Sequence, residues 1–484
     1  MNSSPRQHMN TFESEAKEFQ LTRRRHWDQL NAAPAQKASA YYRGKVRSTY
    51  LYLIPGGSSV LELGCGRGNL IASLDPKHGV GIDFSQPAVI EAQRNFPDIE
   101  FITADAADLP LHNRVFDYIV LSDLVNELWD VQAVLESAQR LCGPHTRIIL
   151  NFYSHLWNIP LTIAQQLGVA SPRLAQNWLT PQDVRNLLEI SNYEPLRSWS
   201  DIILPVRIPL ISDWCNRYLA KILPFRWLSL ANYVVARPMH LRRNSNPSVS
   251  VVVAARNESG HIDELISRIP QMGAGTEIVF VEGNSTDDTY AAIERAIANN
   301  PHLNCKLLKQ PGKGKGDAVR TGFDAATGDI LMILDADITV PPEDLPRFYE
   351  IMANGSGEFV NGVRLVYPME GDAMRFANLI GNKFFSWAFS WLLGQPIRDT
   401  LCGTKVLWRE DYRRIANNRS YFGDFDPFGD FDLLFGAAKL NLKIMEVPVR
   451  YRARRYGETN ISRWSHGWLL LKMVAFAAKR IKFV

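Results

Sequence analysis

The sequence predicts two α/β domains in succession, each built on a largely parallel sheet. Three observations predict this. Apolar strand-like runs alternate with amphipathic stretches from Ser59 to about Leu150, and the alternation starts again at Ser248. A polar stretch, Arg237 to Pro247, carries two prolines, lacks periodicity and separates the two halves. Each half also has its own strand-to-turn signature, and the two signatures differ in chemistry. The 484 residues divide into halves of roughly 240 residues, each long enough to bury a core.

Residues 1–45 are polar, with a helical pattern and a loose start. Strands are then predicted at Ser59–Leu63, Gly79–Ile82, Glu100–Thr103, Tyr118–Ser122 and Arg147–Phe152. Helical patterns lie between them, so they read as βαβ units. Thr180-Pro-Gln-Asp183 opens a helix, with Thr180 as N-cap and Pro181 at the first helical position. Ala231–Ala236 reads as the last strand of this half. Ile208 to Leu230 is apolar, aromatic and basic, and fits no position on a sheet. In the second half, Ser248–Ala254, Glu277–Val281 and Ile330–Leu334 are apolar strands, each followed by polar loop residues. The expected domains are 1–238 and 248–465, with a linker at 239–247 and an amphipathic helix at 466–484.

Composition narrows the function classes. The hydrophobic share of 46% and charged share of 21% are those of a globular chain. A net charge of +4 is too small to indicate a nucleic-acid partner. The five cysteines are odd in number and far apart, and no C-x-x-C occurs. That pattern indicates reduced thiols without a disulfide framework or zinc site. The first residues lack the apolar core of a signal peptide, and no apolar run reaches the roughly 18 residues needed to span a bilayer. The expected setting is cytoplasmic.

The first signature is Val60-Leu-Glu-Leu-Gly-Cys-Gly-Arg-Gly-Asn-Leu70. Gly64, Gly66 and Gly68 lie just past a strand and open a helix, where glycine permits a tight turn and close approach to a ligand. Asp83 ends the next strand about twenty residues on, a spacing that suits the hydroxyls of a ribose. Asp105 ends a third strand. These residues together resemble the class I S-adenosylmethionine-dependent methyltransferases, over roughly residues 40–200. Glu62 before the glycines fits that family better than the nicotinamide-dinucleotide fingerprint. The resemblance implies a Rossmann-like fold, S-adenosylmethionine as cofactor, methionine and ribose contacts by Gly64 and Gly66, and ribose hydroxyls on Asp83. It further implies an adenine edge near Asp105 and a methyl-transfer pocket lined by Asp123. Two departures touch the acceptor side. Leu124-Val-Asn-Glu-Leu-Trp129 stands where the family often has an acid-histidine pair, and Gly143-Pro-His-Thr146 replaces its Pro-Gly-Gly turn. Asp123, Glu127 and His145 are the candidate general bases.

The second signature has four pieces in order. Ser248 to Ser259 is a strand entering a polar turn, and Glu277 to Thr289 repeats that arrangement. Gly312-Lys-Gly-Lys-Gly-Asp-Ala-Val-Arg-Thr-Gly322 is a basic glycine loop before a helix. Asp335-Ala-Asp337 closes a third strand. Two carboxylates around one small residue can hold a hard divalent ion, which would offset the charge of a diphosphate leaving group. The set resembles the family 2 inverting glycosyltransferases of GT-A fold, over about residues 248–460. That likeness implies a nucleotide-sugar donor surrounded by Ala254, Arg256, Glu258 and Glu282, with Lys315 and Asp317 beside the nucleotide. It also implies Mg²⁺ or Mn²⁺ on Asp335 and Asp337. Glu282 stands where the family more often has Asp.

Arg398-Asp-Thr-Leu-Cys-Gly-Thr-Lys-Val-Leu-Trp-Arg409 looks like the family's acceptor-side segment, with Gly403, Thr404 and Lys405 as acceptor or phosphate residues. Gly429-Asp-Phe-Asp-Leu-Leu434 offers the catalytic carboxylate, Asp432 ahead of Asp430. Glu446 to Asn460 is similar to a segment of polyprenyl-phosphate sugar transferases, where Arg454 would meet a phosphate. Ile380 to Leu393 and His466 to Val484 combine aromatic, apolar and basic residues as membrane-surface helices do. The resulting expectation is a bifunctional enzyme of cell-surface glycan or glycolipid assembly, peripheral at the inner face of the plasma membrane. The alternative is a glycosyltransferase with a non-catalytic S-adenosylmethionine-binding module.

Overall fold

The computed structural model describes residues 5–32, 39–167, 173–239, 241–364, 376–419, 431–452 and 463–484. The chain divides into two compact units, Met1–Leu241 with Phe483–Val484, and Arg242–Lys482.

The first unit holds seven strands: β1 Ser59–Leu63, β2 His78–Asp83, β3 Glu100–Thr103, β4 Phe116–Ser122, β5 Cys142–Tyr153, β6 Tyr193–Asp201 and β7 Ala231–Pro238. They pair in the order β3-β2-β1-β4-β5-β7-β6. The first five are parallel, and β7 runs antiparallel between β5 and β6. Val60, Leu61 and Leu63 of β1 are all buried, as expected of a strand covered on both faces. The sequence reading misses β6. Its Tyr-Glu-Pro-Leu-Arg-Ser-Trp-Ser-Asp run includes Pro195 at a register shift, which only an edge strand tolerates. Helix Ala40–Leu53 buries Tyr42, Val46, Tyr50 and Leu53 along one face. The Thr180 cap forms a reciprocal pair: Thr180 Oγ1 accepts from the Asp183 amide, and Asp183 accepts from the Thr180 amide.

The second unit also holds seven: β8 Val249–Ala255, β9 Thr276–Glu282, β10 Asn304–Lys309, β11 Ile330–Asp335, β12 Phe359–Val363, β13 Lys405–Trp408 and β14 Ile444–Pro448. Their order is β10-β9-β8-β11-β13-β12-β14, with β13 antiparallel to both neighbours. Alternate residues of β8 enter opposite cores. Val252 packs with Val319 and Phe323 of the helix Lys315–Ala325, whereas Val251 and Val253 pack with Ile262 and Ile266. The strands absent from the sequence reading are β10, β12, β13 and β14. Three of these have five residues or fewer, and β10 is a half-exposed edge.

The helix Arg463–Ala477 and its continuation to Lys482 bury Leu470, Met473, Ala477 and Ile481 in the second core and leave Trp468 and Leu471 exposed. Helix Phe376–Leu393 likewise buries Phe385, Phe389 and Leu392, leaving Phe384 and Trp387 exposed. Within the expected linker, the Arg243 side chain is only 9% exposed and is paired with Glu358 and Asp411, which ties that end of the stretch into the second unit. Among the described residues, no helix is long and apolar enough to cross a membrane.

Candidate active sites

In the first unit the strand order reverses direction between β1 and β4, the place where open α/β sheets bind ligands. Gly64, Gly66 and Gly68 sit there with φ of 72°, 51° and 74°. They are not equivalent. A Cβ at Gly64 would lie 2.8 Å from Leu124 Cδ1, and one at Gly68 would lie 2.6 Å from the Phe101 ring. A Cβ at Gly66 would meet nothing within 4 Å. Gly64 and Gly68 thus serve packing, and Gly66 fronts open space.

The acids beside this loop are engaged by backbone amides. Glu62 is buried and accepts from the Ile71 amide at 3.0 Å, and burial pushes its carboxyl up to about 8. Asp83 accepts from the amides of Gly66 at 2.8 Å and Ser85 at 2.9 Å, and burial raises its carboxyl as well. Asp105 accepts from the Ala107 amide and from Gln20 Nε2, at 2.9 and 2.8 Å. Gln20 belongs to the helix Pro5–Ala32, whose Asp28 also accepts from the Ser85 hydroxyl. The N-terminal helix therefore lies along the ends of β2 and β3, which sequence reading did not place.

Asp123 follows β4 in the left-handed region, at φ 53°. It accepts from the Tyr42 hydroxyl at 2.8 Å and from Asn151 Nδ2. Burial pushes its carboxyl up to about 6, against the pull of Tyr42 and Arg173. Tyr153 shares this pocket, with the Arg173 guanidinium 4.5 Å above its ring. Glu127 is held by Arg23 and Gln176. His145 is misplaced as a base. It lies near the start of β5, whereas Asp123 follows the register pair of Ser122 with Asn151 at the other end of that strand.

In the second unit the ends of three parallel strands lie level, with Asp335 and Glu282 on either side of β8. Asp335 pairs in register with Ala254, Ala254 with Val281, and Ala255 with Glu282. Lys315 Nζ meets Asp335 Oδ1 at 2.5 Å. Burial and the neighbouring Asp335 push the Asp337 carboxyl up, while its hydrogen bonds to Thr339 oppose this. Two acids that repel one another, with a lysine on one of them, fit a divalent cation. Among the described residues no cluster of three acid, His or Cys side chains could hold a metal.

Gly403 closes this site from above. A Cβ there would collide with Asp335 Oδ2 and lie 2.5 Å from Lys315 Nζ. The loop carrying it is braced by Asp399, which is buried and forms a forked pair with Arg364 at 2.7 and 2.9 Å. The sequence carries no pairing signal for that brace. Asp317 accepts from the Gly312 amide at 2.9 Å and so folds the basic glycine loop at the head of its helix. Glu282 accepts from the Ser285 amide, Glu258 faces His261 at 3.0 Å, and Arg256 is exposed. Thr404 is wholly buried. Lys405 is corrected: it too is wholly buried, and its Nζ donates to the Cys402 carbonyl at 2.6 Å, a strut inside the turn and not a phosphate ligand. Asp432 is buried in the first turn of the helix Phe431–Lys439, with Arg419 at 3.3 Å. Asp430 and Arg454 lie outside the described residues.

Residues 60–145 match the methyltransferase domain model, and residues 250–421 match the glycosyl transferase family 2 model. The chain is a methyltransferase domain followed by a family 2 glycosyltransferase domain. Its two sheets are a Rossmann-like methyltransferase fold and a GT-A fold, as the sequence resemblance implies. The glycosyltransferase half is 36% identical over 218 residues to a dolichol-phosphate mannosyltransferase of Pyrococcus furiosus, covering 44% of this chain and 59% of that protein. It is 38% identical over 111 residues to the undecaprenyl-phosphate 4-deoxy-4-formamido-L-arabinose transferase of Sodalis glossinidius, covering 22% of this chain and 33% of that protein. The chain therefore spans less than two thirds of either relative's length. A Haloferax volcanii dolichyl-phosphate hexose transferase is 28% identical over 229 residues, 47% of this chain and 92% of that protein. Among solved structures, the Mycobacterium tuberculosis glucosyl-3-phosphoglycerate synthase with phosphoglyceric acid shares 22% identity at a TM-score of 0.37, covering 49% of this chain and 80% of that one. A Haloferax volcanii complex of the Trm112 methyltransferase activator with its methyltransferase shares 16% at 0.35, covering 44% and 98%.

Proposed function

We propose that the glycosyltransferase domain moves a sugar, with inversion, from a nucleotide-sugar to a polyprenyl-phosphate or glycan acceptor. We propose equally that the methyltransferase domain uses S-adenosylmethionine, both in assembly of a cell-surface glycan or glycolipid. The observation that carries the first reading is the meeting of Asp335, Lys315 and Gly403 at the end of β11, a charged cradle that admits no side chain at 403. Relatives named for dolichol- and undecaprenyl-phosphate support the acceptor class.

Asp335 and Asp337 would hold Mg²⁺ or Mn²⁺, which when bound supplies positive charge to a departing nucleoside diphosphate. Lys315 adds fixed positive charge at the same place, and the head of its helix turns backbone amides toward an anion. The nucleotide would lie along Ala254, Arg256, Glu258 and Glu282. A hydroxyl acceptor needs a base, for which Asp432 or Asp430 is proposed. A phosphate acceptor, with a second pKa near 6, needs none. Arg454 would then pair with phosphate.

In the methyltransferase domain Gly66 gives the cofactor room, with Gly64, Gly68 and Glu62 shaping the turn. Asp83 and Asp105 would take the ribose and adenine polar groups, and the cofactor when bound supplies an electrophilic methyl group. Asp123, poised to titrate near 6, would accept a proton from the acceptor. The enzyme would work peripherally at the cytoplasmic face of a membrane.

The test incubates the full chain with labelled UDP- and GDP-sugars, polyprenyl phosphate and Mn²⁺, and separately with methyl-labelled S-adenosylmethionine. Label in lipid that disappears in Asp335→Asn supports the transferase reading. Methylation that disappears in Asp83→Ala supports the second activity. Absence of lipid label with every donor would overturn the acceptor class.

A further inference from the structure

The segment between β6 and β7 is folded with its polarity reversed. In helix Ile211–Arg217 two uncharged polar residues point inward: Ser212 is 0% and Asn216 4% exposed. Ser212 Oγ donates to the Val206 carbonyl at 2.6 Å and accepts from the Ile208 amide at 2.9 Å. Asn216 closes on both backbone groups of Leu204 at 2.9 and 2.8 Å. The apolar residues point outward, with Leu210 87% and Trp214 55% exposed, followed by Leu223 at 56% and Trp227 at 63%. Helix Asn158–Gln166 buries Leu161 but exposes Ile159 and Ile163 one turn apart. Trp157 Nε1 donates to the Leu228 carbonyl at 2.9 Å and joins the two segments into one face.

Charge accompanies the apolar groups. Residues 202–230 contain Arg207, Arg217 and Arg226 with the one acid Asp213, Arg217 also donating to the Phe483 carbonyl at 2.9 Å; Lys221 is taken up by Asp201 at the end of β6, and residues 154–167 contain no acid. Asp213 is itself held by Lys45 and Tyr41. Both segments leave the sheet at one edge, because Tyr153 and Asp201 each pair with Ala231. Asp123 lies at that same edge.

We infer that this face of the methyltransferase domain docks on an anionic lipid bilayer. Outward Trp and Leu would enter the headgroup boundary, and the arginines would meet lipid phosphates, which is the composition such surfaces require. Apolar patches this continuous are rare on free monomers. The inference stands apart from the glycosyl-transfer reading and from the exposed aromatics Phe384 and Trp387 of the other domain.

The experiment is sedimentation of the full chain with phosphatidylcholine vesicles, with and without phosphatidylglycerol. The wild type should bind the anionic vesicles, and Leu210→Glu/Trp214→Glu should lose roughly tenfold or more in partitioning. Trp227→Glu, made separately, should weaken binding in the same direction, and Phe384→Ser/Trp387→Ser should retain it. An unchanged melting curve shows that each variant folds. Failure of the wild type to bind anionic vesicles overturns the inference, as does binding unchanged in both surface variants. So does loss only in Phe384→Ser/Trp387→Ser, or a wild-type dimer that Leu210→Glu/Trp214→Glu dissociates without altering vesicle binding.

Discussion

The two domains place carboxylates at the same position, the ends of parallel strands, and set them against different neighbours. In the methyltransferase domain Glu62, Asp83 and Asp105 are engaged by backbone amides. In the glycosyltransferase domain Asp335 faces a lysine, and Asp337 faces Asp335. An acid fixed by neutral amides keeps lone pairs for hydroxyl and amino donors, as a nucleoside cofactor requires. An acid held against a cation, beside a second acid, is arranged for an exchange of charge, as a metal and diphosphate require. One fold feature thus yields two chemistries through what stands opposite the carboxylate.

The sharpest break in that comparison is removal of the acid pair. Asp335→Asn and Asp337→Asn should each cut sugar transfer by roughly 10²–10³-fold. Methyl transfer should stay unchanged, and an assay of both activities on one preparation checks this. Gly66→Ala and Gly68→Ala should then separate ligand space from packing. Gly68→Ala meets the Phe101 ring and should lower stability by about 1–3 kcal/mol in a denaturant melt. Gly66→Ala has room and should fold, with a strain cost of about 1–2 kcal/mol, yet weaken S-adenosylmethionine binding in titration calorimetry.

The pH predictions are smaller. Methyl transfer should rise through about pH 6 as Asp123 ionises, and Asp123→Asn should abolish that limb in a pH–rate profile. Glu62 has a folded-state pKa of about 8, above its unfolded value of roughly 4.3. The folded state therefore holds more protons over that window, and stability falls as pH rises across it. Glu62→Gln should flatten this slope in melting curves.

Much of this was legible in the sequence because it is local. Parallel strands buried on both faces read as unbroken apolar runs, so β1, β2, β8, β9 and β11 stand out, and the acids at their ends follow. Two of the strands that escaped carry no such run: β6 has a proline and charges, and β13 has only four residues. Contacts between distant residues were equally silent. Tyr42 reaches Asp123 across 81 residues, and Gly403 meets Asp335 across the sheet. Lys405 misled because Gly-Thr-Lys looks like a ligand loop, whereas burial turns the ammonium onto a carbonyl. His145 misled because its distance from Asp123 along β5 is invisible in a list of residue types.

The most direct test of the central claim is titration calorimetry of the full chain with UDP and GDP, each with and without Mn²⁺, repeated on Asp335→Asn. Metal-dependent binding of one nucleotide, lost on the substitution, is the expected result. Binding of neither nucleotide, or binding indifferent to both metal and Asp335, would contradict it.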